Sequence, residues 1–166
     1  MIFFGSVYFQ SEIYELIDAT FIDNATTGKK NDNWTNYSDR LTIETDTTGT
    51  LITGHASSNG YYIANSEDAF SFDDYTCEFD VVTITGGVRW YHQHETLGNE
   101  NVFVLNTYVR DGNHVKIVVK NGTAILYVDN VKKATSNLTI DRPYEVAFRF
   151  NNGVTNTLKY KNLMIY

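Results

Sequence analysis

The sequence predicts an all-β protein whose strands form a two-sheet antiparallel sandwich. Aromatic residues make up 14% of the 166 residues, with 12 Tyr and 10 Phe, and aromatic and β-branched residues favour strands. Apolar residues recur at every second position in several segments, as in strands with one buried face. Turn residues interrupt these segments about every 8 to 12 residues, which is the spacing of an antiparallel sandwich.

The clearest element is a hairpin over residues 114–130. Apolar residues alternate over 115–119 and again over 125–127, which predicts two strands. Asn121 and Gly122 lie between them, and Asn-Gly favours a type I′ turn because both central residues need positive φ. The return strand is expected to end at a second turn, before a separate strand further along the chain.

Other segments show strand-like composition and alternation, and the long polar segment 23–39 is expected to be a loop. The segment 11–22 could begin as a short helix, although a strand over 16–21 is favoured. The remaining predicted strands are 2–9, 41–43, 50–53, 61–64, 75–84, 88–94, 102–110, 143–150 and 157–166. We expect an N-terminal segment or edge strand over 1–10 and one domain over 11–166.

Several short motifs, most of them in the last third of the chain, are similar to those of a known family of domains. They are V-x-I-x-V-x-N-G over 115–122, L-Y-V-D over 126–129 and N-L-x-I-Y over 162–166, and F-S-F-D-D-Y-T-C-E-F-D-V-V over 70–82 adds to them. Together they resemble concanavalin A-like and laminin-G-like jelly-roll domains over residues 20–166. The resemblance implies a jelly-roll β-sandwich in which the final strand lies beside the first.

Charge and composition exclude several function classes. The formal net charge is −7, with 20 acidic and 13 basic residues, and no basic stripe typical of nucleic-acid binding is present. The pairs Lys29-Lys30 and Lys132-Lys133 are interpreted as solvated turn residues. No stretch of about 18 apolar residues occurs, so no membrane span is expected. The single cysteine, Cys77, shares a strand face with apolar residues and is expected to be buried.

The candidate ligand-binding residues centre on the strand 88–94. Alternation places Arg89 and Tyr91 on one face and Trp90 and His92 on the other. A sugar ring stacks on an aromatic face, and its hydroxyls need paired donors and acceptors. The candidates are Arg89, Tyr91, Gln93, Asn106 and Tyr108, with Glu78 and Asp80 beside them on an open concave face; Trp90 and His92 replace them if the register shifts by one residue.

A simpler interpretation of the same residues remains open. The concave face could be a solvated sheet without a ligand, with Trp90 in the core and Arg89 paired to Glu78 or Asp80. A slip of one residue in the strand register would also exchange the two faces. The pattern of residues by itself does not choose between these alternatives.

The sequence argues against an enzyme. Glycosidases use two carboxylates that flank the scissile bond, and the jelly-roll hydrolases of the resembled fold carry a Glu-x-Asp-x-x-Glu pattern. Glu78 and Asp80 match its first two acids, but no third acid follows. Cys77 is expected to be buried, and no Gly-x-Ser-x-Gly motif occurs.

A metal site is an open question, and the residues present offer two kinds of ligand. His92 and His94 could chelate from one strand face, although two ligands do not make a site. The resembled domains often carry Ca²⁺, which oxygen ligands would hold. The candidate calcium ligands are Asp18, Asp23 and Asn24, or Asp111, Gly112 and Asn113.

Two functions follow as expectations. The first is a non-catalytic carbohydrate-binding module that recognises a cell-surface glycan, as in a phage tail protein or surface adhesin, located outside the cell or on a virion surface. The second is a structural or assembly module whose partners are proteins. The apolar run Ile2-Phe3-Phe4, which one sandwich core does not explain, favours the second.

Overall fold

A computed structural model describes residues 21–23, 34–36, 41–54, 60–64, 73–94, 98–142, 144–151 and 155–166. The predicted strand 2–9, most of the predicted strand 16–21 and the apolar run at residues 2–4 lie outside the described residues. The division of the chain at residue 10 therefore stays a prediction.

The described residues form thirteen strands and one helical turn. They are β1 (Phe21–Asp23), β2 (Trp34–Asn36), β3 (Leu41–Asp46), β4 (Gly49–Gly54), β5 (Gly60–Ala64), β6 (Tyr75–Thr85), β7 (Val88–His94), β8 (Gly98–Val104), α1 (Leu105–Tyr108), β9 (His114–Lys120), β10 (Thr123–Val128), β11 (Val131–Asn137), β12 (Glu145–Phe150) and β13 (Asn156–Ile165). Among these residues no helix is long and apolar enough to cross a membrane.

The strands form two antiparallel sheets, which confirms the predicted all-β jelly-roll sandwich. The large sheet has the order β11-β10-β9-β6-β13-β4-β3, with β1 also paired to β13. The small sheet has the order β2-β5-β12-β7-β8. Phe21 of β1 is paired with Ile165 of β13, so the final strand does lie beside the first described strand, as the resemblance implies.

The core lies between the sheets and is rich in aromatic rings. Phe79 and Tyr160 from the large sheet meet Trp90 and Phe148 from the small sheet, and all four are fully buried. The ring centroid of Phe148 lies 5.4 Å from the ring centroid of Phe79, 5.1 Å from that of Trp90 and 5.4 Å from that of Tyr160. Cys77 is buried beside this layer, as predicted, and burial raises the pKa of its thiol well above the ordinary value.

The predicted hairpin is present with the predicted turn. Asn121 and Gly122 have φ values of 49° and 71°, and Thr123 is paired with Lys120, as a two-residue type I′ turn requires. A second turn of the same kind, with positive φ at its two central residues, leads from β10 into β11.

Two strands that were not predicted and one strand with shifted ends are the main differences from the sequence prediction. The strand β11 was not predicted: it is an exposed edge strand with little apolar alternation, and it contains the lysine pair 132–133 that was interpreted as a turn. The predicted strand 102–110 begins earlier, at Gly98, and ends at Val104, because the chain turns into α1. The short strand β2 lies within the segment predicted to be a loop.

The chain changes sheets at Gly86 and Gly87, between β6 and β7. Asn156, which is fully buried, ties this corner to the chain before β13. Its Oδ1 accepts a hydrogen bond from the backbone N–H of Gly87, and its Nδ2 donates to the carbonyl of Asn151. This corner separates β6 and β7, which are consecutive in the chain, into opposite layers.

We expect Gly86→Ala to destabilise the fold more than Gly122→Ala. The two glycines have nearly equal φ values of 72° and 71°, so an alanine pays a similar backbone cost of about 1 to 2 kcal/mol at either position. At Gly86 the new Cβ would also overlap Oδ1 of the buried Asn156, whereas at Gly122 it meets nothing within 4 Å. Disturbing the hydrogen bonds of that amide should increase the loss in the free energy of unfolding by about 1 to 3 kcal/mol.

Urea unfolding of both variants at neutral pH measures this difference. Gly122→Ala serves as the matched control for backbone strain. Equal losses in the free energy of unfolding would contradict a structural role for the Asn156 corner.

Candidate functional site

The structure settles the register of β7. Val88 and Trp90 are fully buried in the core, and Arg89 and Tyr91 alternate with them toward the outer face of the small sheet. The register that places Arg89 and Tyr91 away from the core is therefore present. Trp90 and His92 are fully buried and point into the protein, so the shifted register that would expose them is not the one present.

His92 is part of a buried polar chain. The indole Nε1 of Trp90 donates to the hydroxyl of Tyr75 at 2.8 Å, and that hydroxyl lies 2.5 Å from Nε2 of His92. The Tyr75 hydroxyl therefore links the indole of Trp90 to the imidazole of His92. The His92 ring stacks on Tyr144 with 4.5 Å between ring centroids.

Burial lowers the pKa of His92 to about 3. The imidazole is therefore neutral at physiological pH and belongs to the core. His92, one of the two histidines considered as possible metal ligands, is fully buried and faces inward.

The outer face of β7 does not present an open aromatic platform. Tyr91 is only 3% exposed and forms a small buried cluster with Ala147. The guanidinium carbon of Arg149 lies 5.4 Å from the Tyr91 ring centroid, and Arg149 also donates to Oδ1 of Asn101 at 2.8 Å. Tyr91 therefore does not present the open ring face that the sequence led us to expect.

The other candidates near β7 are dispersed. Gln93 lies in β7, and its side chain is outside the described part of the chain. Asn106 and Tyr108 lie on α1, whereas the sequence predicted that they lie on a strand. Asn106 is partly buried, and Tyr108 is 38% exposed.

Glu78 and Asp80 are separated from these residues by the whole sandwich. Both lie on β6 in the large sheet, whereas Arg89 and Tyr91 lie on β7 in the small sheet. The prediction that Glu78 and Asp80 lie beside Arg89 is wrong, and so is the alternative in which either of them pairs with Arg89. The physical reason is the glycine corner at 86–87, which sends the chain from one sheet to the other.

A more coherent polar surface lies on the outside of the large sheet, and we call it the Glu78 face. It consists of outward side chains of β6, β9, β10 and β13, which alternate with core residues on the same strands. Its members are Thr76, Glu78, Asp80, His114, Lys116, Val118, Ile125, Tyr127, Asn162 and Met164, with Tyr166 directly after β13.

Glu78 is the centre of a hydrogen-bonded network on this face. Its Oε1 lies 2.6 Å from Nζ of Lys116 and accepts from the Tyr166 hydroxyl at 2.9 Å. Its Oε2 lies 3.6 Å from Nε2 of His114. Burial alone would raise the pKa of Glu78, but the hydrogen bonds from Lys116 and Tyr166 outweigh it and lower the pKa. The hydrogen bond to Glu78 raises the pKa of Lys116 in turn.

Asp80 extends the network toward β13. Its Oδ1 lies 2.8 Å from Nδ1 of His114, and its Oδ2 accepts from Nδ2 of Asn162 at 2.7 Å. Asn162 has a φ of 55° at an irregularity in the β13–β6 pairing, a conformation that asparagine tolerates better than most residues. The two acids considered as a catalytic pair are thus both bound by neighbouring side chains.

Two open grooves lie beside this network. One has a volume of about 280 Å³ and is lined by Asp74, Tyr75, Thr76, Val118, Val119, Lys120 and Tyr166. The other has a volume of about 250 Å³ and is lined by Lys116, Val118, Tyr127 and Asn130. Val118 lines both grooves, and each groove contains a partly exposed tyrosine of the Glu78 face.

Sequence reasoning missed most of this site. Alternation in the hairpin already places Lys116 and Val118 on the face of β9 that points away from the core. It places Tyr127 on the corresponding face of the return strand. That signal could have marked them as one outward face. It could not show that β9 pairs with β6, which brings Lys116 opposite Glu78.

The candidate calcium ligands at 111–113 hold a turn. Asp111 accepts from the backbone N–H of Ile84, Asn113 accepts from that of Arg110, and Asn113 donates to Asp129. In the parts of the chain that the structure describes, no three His, Cys, Asp or Glu side chains form a group suited to a metal ion. Asp18 and Asn24 lie outside those parts, and only the backbone of Asp23 is described.

Solved structures share this fold at low sequence identity. A sialidase matches with a TM-score of 0.62 and 10% identity over 89% of this chain, which spans only 18% of the sialidase. The carbohydrate-binding module CBM66 from Bacillus subtilis matches with a TM-score of 0.56 and 12% identity, over 80% of this chain and 94% of the module. A variant of a family 29 carbohydrate-binding module matches with a TM-score of 0.55 and 15% identity, over 88% of each chain.

These matches confirm the jelly-roll fold, and at such identities they show the fold alone. No family model and no curated protein sequence matches the chain.

The buried His92 predicts that acid weakens the fold. Its pKa is about 3 in the folded protein against an ordinary value of 6.5, so the unfolded chain binds the proton first as the pH falls. The free energy of unfolding should therefore decrease below about pH 6.5, by about 2 to 3 kcal/mol from this residue at about pH 4.5. Urea unfolding at the two pH values measures the loss.

His92→Phe keeps a ring against Tyr144 and removes the titrating group. This variant should lose less stability than the wild type between neutral and acidic pH, whatever its stability at neutral pH. The same loss in both proteins would show that His92 does not cause the acid sensitivity.

Proposed function

We propose that the Glu78 face binds carbohydrate and that the protein is a non-catalytic carbohydrate-binding module. The observation that carries the proposal is the combination of two tyrosine-containing grooves with a pre-formed polar network on one rigid sheet face. The fold is also shared with carbohydrate-binding modules, which supports the proposal at the level of architecture.

The chemistry of the face suits a sugar. Tyr127 and Tyr166 offer aromatic rings for the C–H faces of a pyranose. Lys116 and Asn162 carry N–H donors, and the carboxylates of Glu78 and Asp80 are acceptors with more than one lone pair each. Because these groups are already oriented by one another, a ligand would not have to order them on binding.

The biological setting that we propose is recognition of a cell-surface or cell-wall glycan outside the cell, as an attachment module of a phage tail protein or a surface adhesin. One structure of a family 29 module is a complex with cellulohexaose, so this fold accommodates a glucan in that protein. The assembly alternative depended on the apolar run at residues 2–4, which lies outside the described residues.

We expect Tyr127→Ala to weaken glycan binding by about 5- to 10-fold or more, because loss of one stacking ring costs about 1 kcal/mol or more. The measurement is calorimetric titration with the tightest ligand from a panel of microbial and plant cell-wall polysaccharides. Circular dichroism and thermal unfolding establish that the variant is folded.

Tyr108→Ala is the matched control, because Tyr108 is an exposed tyrosine on α1 away from the Glu78 face. It should bind as the wild type does. Loss of binding in Tyr108→Ala, with Tyr127→Ala unaffected, would move the site to the small sheet. A folded wild type that binds no glycan at millimolar concentration would refute the proposed function.

A further inference from the structure

The two grooves of the Glu78 face lie along rows that cross the strands. Tyr166 pairs with Thr76 through two backbone hydrogen bonds of 2.7 and 3.0 Å. Thr76 is paired with Val118 of β9, and Val118 with Ile125 of β10. These four residues therefore form one row across neighbouring strands, and Val118 lies in its interior.

A second row runs beside the first, two residues along each strand. Met164 is paired with Glu78, Glu78 with Lys116, and Lys116 with Tyr127. Neighbouring strands lie about 4.8 Å apart, so the three steps of either row cover about 14 Å. That length exceeds one sugar ring.

The rows differ in chemistry. Two neighbouring residues of the first row, Val118 and Ile125, present hydrocarbon, and both are partly exposed. The centre of the second row is the Glu78–Lys116 ion pair. A flat chain lying along the rows would therefore meet an apolar strip and, parallel to it, a strip of donors and acceptors.

Three charged side chains line the grooves: Lys116 and Asp74 are paired with neighbouring protein groups, and Lys120 is exposed at the end of β9. Lys116 is paired with Glu78 at 2.6 Å, and Asp74 lies 3.2 Å from Nη1 of Arg142. An ionised ligand would compete with these pairs and would also be desolvated, which disfavours it. An uncharged ligand needs only hydrogen bonds and ring contacts.

We propose that the ligand is an uncharged polysaccharide bound along its length, across the strands, from the Tyr166 groove over Val118 to the Tyr127 groove. This inference rests on the proposed function and adds the class of ligand and its direction on the sheet. A single sugar unit fills one groove, whereas several linked units fill both and cover Val118.

Chain length provides the first test. The wild type is screened against uncharged glucans, mannans, xylans and galactans and against acidic pectin and alginate, and fragments of the tightest polysaccharide are then titrated. Affinity should rise about 10-fold or more from the monosaccharide to the tetrasaccharide, which corresponds to about 1.4 kcal/mol.

The outcomes separate the two proposals. Equal affinity for the monosaccharide and the tetrasaccharide would overturn binding along the chain while leaving carbohydrate binding in place. Tightest binding to pectin or alginate would overturn the uncharged ligand and also leave carbohydrate binding in place. Absence of binding to every polysaccharide would overturn both.

Val118→Arg provides the second test, because a long side chain placed between the grooves should block passage of a chain. It should reduce the affinity for the tetrasaccharide about 10-fold or more. Val82→Arg is the matched control, since Val82 is 37% exposed on β6 and lines neither groove.

Equal tetrasaccharide affinity in Val118→Arg and the wild type would overturn the path over Val118. Equal losses in Val118→Arg and Val82→Arg would overturn it as well, because the effect would then not be specific to the grooves. The chain-length series on the wild type remains decisive if Val118→Arg does not fold.

Discussion

The two sheets are held together by contacts among the aromatic rings of Phe79, Trp90, Phe148 and Tyr160. Each ring comes from the centre of a strand, and each is fully buried. Because side chains alternate along a strand, burial of Phe79 forces Glu78 and Asp80 onto the outside of the large sheet. In the same way, burial of Trp90 forces Arg89 onto the outside of the small sheet. Both outer faces of the sandwich therefore depend on which rings meet in the core.

The Glu78 face depends on this rigidity. Carboxylates, an ammonium group, an imidazole and a phenol are oriented by mutual hydrogen bonds on strands whose other faces are fixed in the core. Such a surface is preorganised, so a ligand loses little affinity to the ordering of protein side chains. The partial burial of Glu78 strengthens its interaction with Lys116 relative to a fully solvated pair, since water screens the charges less.

Residues that look functional in the sequence have structural roles in the fold. The Tyr75 hydroxyl accepts a hydrogen bond from Trp90 and shares another with His92, so a histidine in a polar-aromatic stretch completes a buried polar chain. Tyr91 is covered and lies close to the guanidinium of Arg149. Asn156, in a segment that attracted no functional interpretation, holds the corner at which the chain leaves one sheet for the other. A buried polar group needs such partners, because an unpaired one is costly.

The sequence by itself determined the fold class, the type I′ turn at Asn121-Gly122, the burial of Cys77 and the split of Arg89 and Tyr91 from Trp90. All of these follow from local periodicity and turn chemistry, which act over a few residues. Tertiary structure alone decided that β6 and β7 belong to different sheets, which separates Glu78 and Asp80 from Arg89, and that β9 pairs with β6, which brings Lys116 to Glu78. Period-two alternation states which side chains share a face of one strand. It does not state which strand lies beside it, because that choice depends on packing between segments far apart in the chain.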